Sequence, residues 1–147
     1  MKTVLLICTG NTCRSPMAAA LLQLRLDKCR AQDIIVESAG LCAGGRPASA
    51  HAVAAMAEWG VDLTRHVSRP LTRELCRQAD LIAVMTPAHA AAVAAFGAAP
   101  ERVLILGGEE GIPDPYGGSL EDYRHTRDAL DRAVARLLPR LEVPQQD

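Results

Sequence analysis

Val4-Leu5-Leu6-Ile7 is a continuous apolar run closed by the polar cluster Thr9-Gly10-Asn11-Thr12. A strand buried on both faces reads this way, because neither face offers water to a polar side chain. Ile34-Ile35-Val36, Leu81-Ile82-Ala83-Val84 and Val103-Leu104-Ile105-Leu106 repeat the pattern and predict three more strands. Between them the spacing turns helical. Ser15-Pro16 predicts a helix start, with serine as N-cap, proline at the first helical position, and an apolar face of Met17, Ala18, Leu21, Leu22 and Leu24. Further helices are predicted at about Ser49–Glu58, Thr72–Gln78 and Ala88–Ala95. A last one opens at Ser119, where Asp122 approximates a capping box, and it carries the stripe Leu130, Val134, Leu137, Leu138 up to Pro139. Glu121 and Asp122 in its first turn, with Arg132 and Arg136 toward its end, complement the helix dipole. Strands alternating with helices predict an α/β fold, a four-stranded parallel sheet flanked by helices in one domain over residues 1–147.

Composition narrows the functional classes. With 49% hydrophobic and 22% charged residues among 147, the chain is an ordinary globular one rather than a disordered one. Sixteen Lys+Arg against 17 Asp+Glu give a net charge of −1, so neither a nucleic-acid nor a membrane-surface footprint is expected. The apolar run after Met1-Lys2-Thr3 is too short for a signal peptide, and Thr86, Pro87 and His89 interrupt the Ala-rich stretch Leu81–Ala99 as a membrane span. Five cysteines (Cys8, Cys13, Cys29, Cys42, Cys76) form no CxxC pair and no zinc-like spacing. No metal and no cofactor are therefore expected, and the thiols suit a reducing, cytoplasmic compartment.

The first strand delivers Cys8-Thr9-Gly10-Asn11-Thr12-Cys13-Arg14-Ser15-Pro16 to the carboxyl edge of the sheet, where such folds bind ligands. Gly10 and Asn11 are residue types that accept positive φ, so successive N–H groups can turn inward as an anion nest. Arg14 adds a planar two-pronged donor suited to phosphate oxygens. Cys8 at the floor of that cradle is a candidate nucleophile on phosphorus; the alternative is a small apolar residue closing a strand. Asp114-Pro115-Tyr116-Gly117-Gly118 is a rigid turn before the last helix. Asp114 is placed there to protonate a leaving group and then activate water, or it serves only an Asp-Pro turn.

Together the Cys8-to-Pro16 loop and the Asp114-Pro115-Tyr116 turn resemble the two signatures of the low-molecular-weight protein tyrosine phosphatases, over nearly the whole chain. The resemblance implies the flavodoxin-like fold of that family, with Cys8 as nucleophile, Arg14 as phosphate clamp and Asp114 as general acid. It implies phosphate or substrate contacts from Thr9, Gly10, Asn11, Thr12, Cys13, Ser15 and Tyr116. Asn11 and Ser15 would brace the loop, Ser15 also donating to the Cys8 sulfur, and Ser38 and His66 would orient Asn11. Cys13 would either form a reversible disulfide with Cys8 or pack beneath the loop. The implied partners are phosphorylated proteins, and the chain is expected to be a monomer.

Thr12 stands where tyrosine-directed members usually carry a bulky aliphatic residue, and Gly117 where a second aromatic often follows. Only Trp59, Phe96, Tyr116 and Tyr123 are aromatic, which furnishes a phenyl slot poorly. Thr12 and the Asp114-to-Ser119 stretch look instead like the bacterial protein-arginine phosphatase branch, as do His51-Ala52-Val53, His66-Val67-Ser68 and Thr126-Arg127-Asp128. A polar, planar guanidinium suits a threonine hydroxyl, so phosphoarginine is the first substrate reading and phosphotyrosine the second. A thiol-dependent arsenate reductase would need two further cysteines near Met85-Thr86-Pro87-Ala88-His89, which has none. A phosphate-binding module without turnover would have lost one of Cys8, Arg14 and Asp114. Arg46 and Arg69 read as surface arginines, His51, His89 and His125 as turn caps or solvent-facing groups, and Cys42 as a residue bordering the pocket.

Overall fold

The computed structural model describes residues 1–143; the last four of the domain expected over 1–147 lie outside the described residues. Four parallel strands, β1 (Lys2–Cys8), β2 (Ile34–Gly40), β3 (Leu81–Val84) and β4 (Val103–Ile105), lie in the order β2-β1-β3-β4. Among the described residues four α-helices lie between the strands, α1 (Arg14–Lys28), α2 (Ala50–Ala57), α3 (Arg73–Gln78) and α4 (Pro87–Ala94), and α5 (Leu120–Ala135) follows β4. The expected α/β class and parallel sheet are both present.

The period-two alternation of β1 divides its side chains between two cores. Val4, Leu6 and Cys8 join Met17, Leu21 and Leu22 of α1, Met56 of α2 and Leu130 and Val134 of α5. Leu5 and Ile7 join Ile82 and Val84 of β3, Cys76 of α3 and Val93 of α4. Val4, Leu5, Leu6 and Ile7 are at most 1% exposed, which is why the strand reads as an unbroken apolar run. The chain leaves β1 toward β2 and β3 toward β4, so the sheet order reverses between β1 and β3. The carboxyl ends of those two strands therefore flank the crevice where doubly wound sheets hold ligands.

Local details depart from the sequence reading. Helix α1 begins at Arg14 with Cys13 at the N-cap position, no side-chain cap bond is made, and Pro16 is its third residue. Ser15 does not cap, because its hydroxyl is engaged by Cys8 and Asn11, and a proline in the first turn forfeits no intrahelical donor. Ser49, Thr72, Thr86 and Ser119 do cap, and the Ser119–Asp122 capping box is reciprocal. β2 runs on to Gly40 because it pairs with β1 residue for residue as far as Cys8. α5 ends at Ala135, short of Leu137 and Leu138, and Pro139 starts a 3-10 turn. Among the described residues no helix is long and apolar enough to cross a membrane.

Candidate active site

β1 ends in Cys8, and the five residues after it curl back over its sulfur before α1 begins. Asn11 makes the reversal possible with φ +55°, the left-handed conformation that asparagine tolerates better than most residues. Gly10 was the other candidate for a positive φ and does not adopt one; a single left-handed residue is enough. Cys8 Sγ then accepts the Asn11 N–H at 3.2 Å and the Ser15 N–H at 3.4 Å, and lies 2.9 Å from Ser15 Oγ. Two backbone N–H groups and one hydroxyl thus converge on the sulfur.

A directed hydrogen-bond chain fixes this geometry. The Arg69 N–H donates to Asn11 Oδ1 at 3.0 Å, so the other end of the Asn11 amide is the NH₂. Asn11 Nδ2 donates to Ser15 Oγ at 2.7 Å and Ser38 Oγ at 3.0 Å. With its oxygen already accepting, Ser15 has its proton free for Cys8 Sγ. His66 Nε2 sits 2.6 Å from the Asn11 carbonyl oxygen. Asn11 and Ser15 are completely buried, so they contribute backbone amides and bracing behind the cleft rather than side chains along it. Ser38 and His66 both meet Asn11.

Arg14 is 4% exposed and spans the cleft edge, its Nη1 donating to the Ile112 carbonyl at 3.0 Å. Ile112 is in turn held to the end of β3, donating its N–H to the Met85 carbonyl at 2.7 Å. The Asp114 turn follows directly. Its Oδ1 accepts the Tyr116 N–H at 3.1 Å, and its half-exposed Oδ2 faces Arg14 Nη2 at 3.5 Å. Cys8 and Arg14, together with the sequence-distant Asp114, line one cleft of about 350 Å³ with Thr9, Gly10, Thr12 and Cys13 in its wall. Tyr116 and Cys42 stand at that cleft as expected, Tyr116 at 74% exposure. Cys13 turns toward Tyr123 and Ser49 instead of standing alone: the three side-chain heteroatoms lie 3.3–3.4 Å apart. Burial and the bond to Cys13 push the Tyr123 hydroxyl up to about 12, so it remains a neutral phenol.

Four residues to which the sequence reading gave no part in the site belong to this neighbourhood: Arg46 and Arg69, read as surface arginines, His89, read as a turn cap or solvent-facing, and Gly40, not singled out. Arg46 lines the cleft. Arg69 braces Asn11 through its backbone and pairs its guanidinium with Glu37 at 2.8 Å. Gly40 ends β2 against the loop, where a Cβ would meet Thr9 O at 2.7 Å and the Asn11 N at 2.9 Å. His89 is neither a turn cap nor solvent-facing: it is 6% exposed, with Nε2 2.9 Å from Thr9 Oγ1. Burial and the Arg14 charge lower its pKa, which the Asp114 carboxylate opposes. The signal for His89 was its place just past the third apolar run, beside the loop once β3 pairs with β1. Gly40 left no comparable signal.

A cysteine that accepts two loop N–H groups thus stands at the switch point of a parallel α/β sheet, in one cleft with an arginine and an aspartate. The chain belongs to the low molecular weight phosphotyrosine protein phosphatase family, whose model matches residues 3–146. It is 39% identical over 146 residues to a protein-arginine-phosphatase of Bacillus subtilis, covering 95% of this chain and 96% of that protein. It is 38% identical over 147 residues to the low molecular weight protein-tyrosine-phosphatase Etp of Escherichia coli K12, covering 95% of each. Its structure superposes with TM-score 0.87 on the YwlE arginine phosphatase bearing a phosphorylated active-site serine, at 37% identity and 95% coverage of both chains. Vibrio vulnificus Wzb in complex with benzylphosphonate gives TM-score 0.85 at 34% identity, over 95% of this chain and 98% of that one.

Proposed function

We propose that the chain removes phosphate from protein side chains through a phosphocysteine on Cys8, with phosphoarginine as its preferred substrate. The observation that carries the reading is the Cys8 sulfur, held by two loop N–H groups and the Ser15 hydroxyl, in one cleft with Arg14 and Asp114. The thiolate attacks phosphorus in line, forming the P–S bond as the bond to the leaving nitrogen or oxygen breaks. Asp114 donates its proton to that leaving atom. Its carboxylate then takes a proton from water, which attacks phosphorus and breaks the P–S bond, releasing inorganic phosphate. Arg14 and the loop amides neutralise the equatorial oxygens in both steps. The domain acts as a monomer in the cytoplasm and requires no metal or cofactor.

The substrate reading rests on Thr12. Thr12 lines the cleft, and its hydroxyl has one side-chain partner, the weakly bonding Cys13 Sγ at 3.7 Å. A hydroxyl both donates and accepts, so it can also receive a guanidinium N–H or a water beside it, which an aliphatic side chain cannot. Identity does not separate the two classes, since relatives named for arginine and for tyrosine stand at 39% and 38%. Steady-state rates on phosphoarginine and phosphotyrosine peptides test the proposal. Phosphoarginine should be turned over faster, and Thr12→Ile should shift the ratio toward phosphotyrosine. A strong phosphotyrosine preference indifferent to Thr12→Ile overturns the substrate assignment.

A further inference from the structure

We infer that His89 is a positioning residue for phosphoryl transfer, acting through the Thr9 hydroxyl; the inference rests on the phosphatase reading of the cleft. The two residues come from opposite sides of the sheet's switch point: Thr9 follows β1, and His89 lies in the first turn of α4 after β3. Their side chains meet across it at 2.9 Å.

The hydrogen positions follow from counting partners. His89 is buried, its backbone N–H is taken by Thr86 Oγ1 at 3.1 Å, and among the described residues Nδ1 has no partner. Burial keeps the ring neutral. A proton on Nδ1 would bury an unsatisfied donor, whereas a proton on Nε2 leaves only a bare lone pair at Nδ1, the cheaper omission. The ring therefore carries its proton on Nε2 and donates to Thr9 Oγ1. Thr9 is left with its own hydroxyl proton to give, and it lines the cleft beside Cys8 and Arg14. With the opposite tautomer Thr9 would donate to His89 and present only lone pairs to a phosphoryl group that is itself an acceptor. His89 thus converts an ambivalent hydroxyl into a fixed donor facing the transferring phosphate. The imidazole also stands within the fields of Arg14 and Asp114, the two charges that flank the reaction.

A double-mutant cycle on para-nitrophenyl phosphate tests this. His89→Ala and Thr9→Val should each lower kcat by about tenfold, the worth of one directed hydrogen bond, with KM within about twofold. The double variant should fall no further than the worse single one, because both changes remove the same donor. His89→Gln, which keeps an N–H near the Nε2 position, should recover most of the rate. Multiplicative losses, a change in KM alone, or an unaltered kcat in His89→Ala overturns the inference. Should His89→Ala not fold, the ring nitrogens of ¹⁵N-histidine-labelled wild type decide: His89 protonated at Nε2 supports the assignment, and protonation at Nδ1 overturns it. Wild type without turnover would instead defeat the phosphatase reading itself, an outcome the nitrogen spectrum does not share.

Discussion

Asn11 Nδ2 donates to Ser15 Oγ at 2.7 Å, the shortest link in the relay that ends on the Cys8 sulfur. Because Arg69 N–H fixes which end of the Asn11 amide is the donor, Ser15 can only pass its proton onward to Cys8. A thiolate gains most from that bond when it is the leaving group, during breakdown of a phosphocysteine. On the proposed mechanism Ser15→Ala removes one hydrogen bond to a thiolate leaving group, worth about 1.5–3 kcal/mol, or roughly a ten- to hundredfold loss in kcat. Rapid-quench measurements with an aryl phosphate should show phosphoenzyme accumulating ahead of a slowed second step. A loss confined to phosphoenzyme formation would refute this division of labour.

Gly40 tests the same loop sterically. Its backbone has no positive φ, so space alone demands glycine. Gly40→Ala drives a methyl into Thr9 O and Asn11 N, backbone atoms that cannot rotate away. Overpacking of this kind costs about 1–3 kcal/mol, and here the displaced atoms include a donor to Cys8. Urea unfolding should register the destabilisation, and kcat should drop with it. An active Gly40→Ala protein of unchanged midpoint would mean that the loop has room to shift.

These contacts mark how far the sequence could be read. The strands were legible because β1 and β3 are buried on both faces, and the start of α5 because its capping box is written in Ser119 and Asp122. Cys8, Arg14 and Asp114 were singled out by residue types suited to phosphate chemistry together with the resemblance to a family, and the fold brings the three into one cleft. The start of α1 was misread because Ser15, a good cap by type, is drawn off by Asn11 and Cys8. His89 and Arg69 were misread, and Gly40 was missed, for a common reason. Each touches the loop only because β2 and β3 flank β1, and strand order is not encoded in local periodicity.

Asp114→Asn isolates proton transfer from architecture. The asparagine retains a carbonyl oxygen for the Tyr116 N–H, so the turn should keep its shape and the protein its thermal midpoint. What disappears is the group that the proposed mechanism uses as general acid, a role worth about a hundred- to ten-thousandfold. The loss should grow as the leaving group becomes more basic, steepening a plot of log kcat/KM against leaving-group pKa. An equal loss across all leaving groups would remove Asp114 from the proton transfer.

Glu58 offers a pH test remote from the cleft. It caps the end of α2 and receives Arg124 Nη2 at 2.6 Å and Arg127 Nη1 at 2.7 Å from α5, while the Arg127 guanidinium stacks 4.1 Å above Trp59. Hydrogen bonds from Arg124 and then Arg127 hold its carboxyl at about 2, against an ordinary 4.5. Between those values the unfolded chain binds the proton that the folded one refuses, so stability rises with pH there. The contribution is complete above about pH 4.5 and disappears as pH falls through 2. Glu58→Gln should therefore lower the thermal midpoint at pH 7, show a shallower acid dependence, and converge with wild type near pH 2. Because the pair lies at the surface, added salt should narrow the gap at pH 7. Parallel curves for the two proteins from pH 5 to pH 2 would show that the α2–α5 clamp contributes nothing through its charge.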